Sequence, residues 1–160
     1  FFPKDLGDAM AGRVRFLDES HSVIFTDKGI QFFSTRVETS PELVSQIPIE
    51  ENIRSITYAQ DKVGIVTDNV EGGDPYRLRI YDREGSPVFE KPFNYQYTGF
   101  DIDGDLVLLY NDSSCKVYNM TGTEKYNGTF DFTVSKVSAG RFPGTLLVMG
   151  PQKMTEIKLQ

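Results

Sequence analysis

The chain contains no tryptophan, a single cysteine, a single histidine and no long apolar run, and each scarcity removes a class of protein. One cysteine, Cys115, cannot close an internal disulfide, so packing alone must hold the fold. It leaves the compartment open, because the cytosol and the cysteine-poor bacterial cell exterior both suit it. A His-based metal centre or Ser-His-Asp triad would have to be built around His21, in the turn Asp18-Glu19-Ser20-His21-Ser22. Asp18 and Ser20 are too local in sequence for the usual long-range triad, and His21 reads as a solvated turn residue. No stretch approaches the roughly 20 apolar residues of a membrane helix, and no basic segment precedes an apolar one as in a leader. The chain opens Phe1-Phe2-Pro3 without a methionine, from which we expect a processed or truncated piece with any targeting segment upstream.

Positive charge is also scarce. Lys and Arg number 17 against 23 Asp and Glu, a net charge of −6. With no basic cluster to override that field, no nucleic-acid partner is expected.

What is present is aromatic and β-branched: 12 Phe and 8 Tyr among short apolar runs bounded by Gly, Asp, Asn or Pro. No 3.6-residue stripe interrupts them, so the periodicity is that of strands joined by turns. Four second strands stand out, around Phe25, Val66, Leu109 and Val148, at spacings of 41, 43 and 39 residues. Third strands follow at Gly29 to Phe33, Arg77 to Tyr81, Cys115 to Tyr118 and Met154 to Leu159. First strands are expected at Val14 to Leu17, Ile53 to Tyr58, Thr98 to Ile102 and Thr133 to Val137. Fourth strands are expected at Leu43 to Ile49, Val88 to Phe93 and Tyr126 to Phe130. The hairpins Tyr81-Asp82-Arg83-Glu84-Gly85-Ser86 and Tyr118-Asn119-Met120-Thr121-Gly122-Thr123 share Tyr, Asp or Asn, Gly, and Ser or Thr in order, with an Asx side chain to cap the turn and a glycine for its positive φ.

A period near 40 with four strands per period predicts an all-β, β-propeller-like fold of about four four-stranded antiparallel blades. The units fall at approximately 12–50, 51–94, 95–131 and 132–160, after an N-terminal extension over 1–11. The last unit lacks its fourth strand, a gap that the opposite terminus, Phe1 to Met10, is placed to fill in a closed ring.

Several segments carry a further likeness: Arg13 to Asp18, Thr26 to Ile30, Tyr76 to Asp82, Leu109 to Tyr118 and Thr155 to Leu159. Across them the chain resembles the C-terminal half of an uncharacterised bacterial family, domain of unknown function family 5711. The resemblance implies an extracytoplasmic propeller tethered by an upstream membrane helix, with about twice as many blades. It implies no catalytic residues.

Candidate sites are few. Asp101, Asp103 and Asp105 alternate in Asp101-Ile102-Asp103-Gly104-Asp105 and resemble the start of a calcium loop, but the twelfth position is Asp112 rather than glutamate. The simpler reading is a hairpin turn, and no metal or other cofactor is expected. Tyr95 and Tyr97, in the connection between the second and third units, are placed to stack on a sugar or grip a peptide. The competing reading packs Tyr97 into an inner strand. Two functions follow as expectations: a non-catalytic interaction or scaffold module binding protein or glycan, or a glycan-active or other hydrolytic enzyme with Asp68, Asp101 and Asp103 converging on a central channel. A homodimer closing the open propeller edges is a third possibility for the assembly.

Overall fold

The computed structural model describes residues 11–34, 42–59 and 61–159. Fifteen strands, and among the described residues no helix, form four separate antiparallel sheets in strict chain order. The first holds β1 (Ala11–Phe16), β2 (His21–Thr26), β3 (Gly29–Ser34) and β4 (Glu42–Pro48). The second holds β5 (Ile53–Tyr58), β6 (Lys62–Asp68), β7 (Tyr76–Asp82) and β8 (Pro87–Phe93). The third holds β9 (Gly99–Asp103), β10 (Leu106–Tyr110), β11 (Ser114–Asn119) and β12 (Glu124–Thr129). The fourth has three strands, β13 (Lys136–Ala139), β14 (Thr145–Met149) and β15 (Met154–Lys158). These are blades of the β-propeller kind, each a four-stranded meander except the last. The suggested closing strand, Phe1 to Met10, lies outside the described residues.

The second and third blades bury side chains on both faces, because each is sandwiched between two neighbours. Val23, Phe25, Ile30 and Phe32 of the first blade meet Val63, Ile65 and Tyr81 of the second. Val66, Leu78, Ile80 and Phe93 of the second meet Ile102, Val107, Leu109 and Tyr118 of the third. Leu108, Cys115 and Val117 of the third meet Val137, Leu146 and Val148 of the fourth. Most of these side chains are fully buried, each contributing about 1.5–3 kcal/mol of apolar transfer. The cores therefore lie in three seams between consecutive blades, and cohesion passes from neighbour to neighbour.

Two expectations change with this geometry. The alternation Leu78-Arg79-Ile80 predicts one core face and one solvent face for this strand. Instead Arg79 turns toward the first seam with only 12% of its side chain exposed, held by Glu51 at 2.9 Å and Glu90 at 3.4 Å. The repeat spacing also slips by one residue at the third unit. Phe25 and Val66 face forward along the array, whereas Leu109 and Val148 face back toward the preceding blade. One residue of slip in a strand reverses its face, and Leu108 is the third blade's forward-facing equivalent.

Hairpin glycines seat the second blade on the first and the third on the second. Gly85 turns at φ +87° with a Cβ position 2.7 Å from Phe32 Cδ1 and from Ser45 Cβ of the first blade. Gly122, at φ +80°, approaches Phe89 of the second. Asp82 Oδ1 accepts the amides of Glu84 and Ser86 at 2.9 Å, and Asn119 Oδ1 those of Thr121 and Thr123, as the matched sequences predicted.

Candidate functional site

Tyr95 and Tyr97 lie on the connection from β8 to β9, and the second seam absorbs both. The Tyr97 ring stands 6.0 Å from Tyr76, 6.1 Å from Phe93 and 6.3 Å from Phe100, centroid to centroid. Its hydroxyl is 2.6 Å from Ser55 Oγ on the inner strand of the second blade. Tyr95 reaches Ser114 Oγ at 2.7 Å. Burial pushes both phenols above their usual range, against the opposing pull of those serine hydrogen bonds. Exposed large apolar side chains lie elsewhere, at Phe16, Val70, Phe142 and Met154 among others.

The carboxylates are held one by one. Asp68 accepts Arg54 Nε at 2.7 Å. Asp101 accepts Thr57 Oγ1 at 3.4 Å, across from the second blade to the third. Asp103 reaches across the next seam, where its Oδ2 accepts the Ala139 backbone amide at 2.9 Å. Asp105 is exposed in the β9–β10 turn. Among the described residues no group of three His, Cys, Asp or Glu side chains stands close enough to hold a metal ion. The arrangement of Asp101 and Asp103 stitches inner strands together, and that role needs no ligand.

His21 departs from its expected solvated turn. Only 6% of the residue is exposed, because the β1–β2 turn folds beneath the β7–β8 hairpin. Its Nδ1 lies 2.9 Å from Asp18 Oδ1 and 3.0 Å from Ser20 Oγ, while Nε2 is 3.9 Å from Glu84 Oε1. A hydrolytic triad places serine and aspartate on opposite ring nitrogens. Here both share Nδ1, so the cluster cannot activate Ser20 in that way. Partial burial raises the Asp18 carboxyl, but the Ser20 amide and His21 outweigh it and hold the group well below the usual carboxylate range. Arg83 adds a bond at 3.0 Å. This is a polar lock between the first two blades, which sequence reasoning missed because Arg83 and Glu84 lie more than 60 residues downstream.

Cys115 is fully buried in the third seam, and desolvation pushes its thiol up to about 12. It is therefore a packing residue with no thiolate available near neutrality.

The fourth blade differs from the others. Its forward face carries Ser138, Leu147 and Glu156 in one row and Lys136, Met149 and Met154 in another, none of them buried. Two hollows of about 320 Å³ open on this blade, one lined by Arg141, Leu147, Met154 and Glu156, the other by Phe132 and the β14–β15 turn.

Comparisons with known proteins fit this architecture. The model of a family described as a family of unknown function, DUF5711, matches residues 2–159. The search of curated proteins returns no match. Among solved structures, the computationally designed Ika4 protein superposes with a TM-score of 0.55 at 9% identity, over 99% of this chain and 100% of that one. Hsv2 from Kluyveromyces lactis gives 0.52 at 10% identity, over 96% of this chain and 47% of that one. BBS1N, in a complex with ARL6DN, gives 0.53 at 11% identity, over 99% and 55%. The chain thus spans about half the length of the latter two. At these identities the likeness is one of fold.

Proposed function

The chain belongs to the DUF5711 family of unknown function, and from that premise we propose that it is a non-catalytic interaction or scaffold module, part of a larger propeller anchored outside the cytoplasm by an upstream membrane segment. The observation that carries this reading is the separate fate of the three carboxylates. Asp68, Asp101 and Asp103 each have a structural partner of their own, whereas a glycosidase requires two carboxyl groups left free at a fixed separation across the scissile bond. The fourth blade, meanwhile, presents an edge unpaired among the described residues and a face of mixed apolar and charged side chains. The partner on this reading is a protein or a glycan, and the BBS1N complex with ARL6DN is a protein-binding precedent on the same fold.

The test is direct. The purified chain is offered a glycan array and a panel of chromogenic glycoside and ester substrates. Saturable binding without turnover is expected. Turnover abolished by Asp101→Asn or Asp103→Asn would overturn the reading in favour of a hydrolase. The location is checked separately, by protease accessibility of the full-length protein in intact cells.

A further inference from the structure

In the first three blades a fourth strand covers the third, but among the described residues nothing pairs with the outer edge of β15. The Gly150 amide bonds the Lys153 carbonyl and the Leu159 amide bonds the Gly144 carbonyl, both at 2.7 Å. That phase turns the backbone groups of Met154, Glu156 and Lys158 away from β14 and toward the free edge.

Exposed edges are normally blunted by bulges or prolines. Each pairing of a third with a fourth strand here contains a register shift, and β4 and β8 carry Pro48, Pro87 and Pro92. Neither device protects β15: its register with β14 runs unbroken from Met149 against Met154 to Thr145 against Lys158. Its remaining defence is charge, Glu156 and Lys158, and those two are of opposite sign.

The sister blades indicate what such an edge accepts. Where a third strand carries a base, the fourth strand meets it with a glutamate: Arg77 and Arg79 meet Glu90 at 3.1 and 3.4 Å, and Lys116 meets Glu124 at 3.4 Å. β15 also carries a base, Lys158, though on the forward face of its blade, whereas Arg77, Arg79 and Lys116 lie on the backward faces of theirs.

We propose that β15 pairs antiparallel with β15 of a second copy of this chain, about a two-fold axis at Ile157. In this register Glu156 lies opposite Lys158 of the second copy, twice by symmetry, and their outward backbone groups exchange hydrogen bonds. Ile157 meets its own copy in the close, non-hydrogen-bonded position. Centring the pair one residue earlier opposes Glu156 to itself, and one residue later opposes Lys158 to itself. The result is a six-stranded sheet across two chains, an isologous contact that closes on itself and does not propagate into fibres.

This inference deepens the interaction-module reading by naming a partner for one edge. A monomer would refute the pairing alone, whereas that reading falls only on turnover. Light-scattering chromatography over a concentration series should give a mass rising toward twice 18.1 kDa. Glu156→Lys and Lys158→Glu should each weaken association about tenfold or more, since each converts two attractive cross-strand pairs into repulsive ones. The double reversal should restore it. In the wild-type chain the amides of Met154, Glu156 and Lys158 should exchange more slowly as concentration rises. A monomer at every concentration, a dimer indifferent to either single reversal, or a double variant that stays weakened would each overturn the proposal.

Discussion

The seating of one blade on the next through a hairpin glycine can be isolated with three substitutions of the same chemistry. Gly85, Gly104 and Gly122 all have positive φ, at +87°, +62° and +80°, so alanine at any of them incurs the left-handed backbone penalty of about 1 kcal/mol. They differ in what the new methyl meets. At Gly104 nothing lies within 4 Å. At Gly85 it meets Phe32 Cδ1 and Ser45 Cβ at 2.7 Å, and Phe32 is fully buried and cannot retreat. Overpacking of this kind adds about 1–3 kcal/mol, so Gly85→Ala should destabilise by about 2–4 kcal/mol and Gly104→Ala by about 1. Gly122→Ala should fall between them, because Phe89, 3.2 Å away, is half-buried and able to shift. For a chain of this size each kcal/mol lowers Tm by about 2–4 °C. Thermal unfolding followed by circular dichroism, with urea titration for the free energies, reads the series. Equal losses at Gly85 and Gly104 would mean that the β7–β8 turn is not seated on the first blade.

Three further outcomes are expected. Tyr97→Phe keeps the ring in the second seam but removes the bond to Ser55, at a cost of about 1 kcal/mol in urea unfolding; no change would mean that water already satisfies both hydroxyls. Glu51 has a carboxyl lowered by hydrogen bonding to its own amide and by Arg79, against the opposing effect of partial burial. A lowered folded value stabilises above the free carboxylate range and is lost as pH falls through it, so Glu51→Gln should cost about 1–2 kcal/mol at neutral pH and little in acid. A loss independent of pH would contradict the ion pair. Cys115, with its thiol pushed up to about 12, should resist iodoacetamide in the native chain and react on denaturation. Rapid native labelling, read by mass spectrometry, would show that the third seam opens.

Turn chemistry and periodicity carried most of the architecture. The strand Ile53–Tyr58 falls where alternation put it, and the Asp82 and Asn119 caps form the bonds their sequences predicted. The first strand of the fourth unit was displaced: Thr133 to Val137 was expected, yet β13 begins at Lys136. Val134 is buried in the connection itself, its amide on the Asp112 carbonyl, so hydrophobicity there signalled packing of a linker. Arg79 and His21 escaped for another reason. Local pattern assigns charged and turn residues to solvent, whereas in stacked blades both faces of a sheet are interior, and only partners distant in sequence, such as Glu51 and Glu84, explain how those groups are accommodated. Alternation did point to packing for Tyr97, which lies in the second seam, but the Ser55 and Ser114 partners of the Tyr97 and Tyr95 hydroxyls are not visible from local spacing.

Among the described residues the three seams join only consecutive blades, so the core contacts there are made with a sheet just before or just after in the chain. Such an array behaves as a row of coupled units whose stability is a sum of blade and interface contributions. Disrupting one seam therefore weakens first the two blades that share it, and a blade with no face in that seam loses nothing directly.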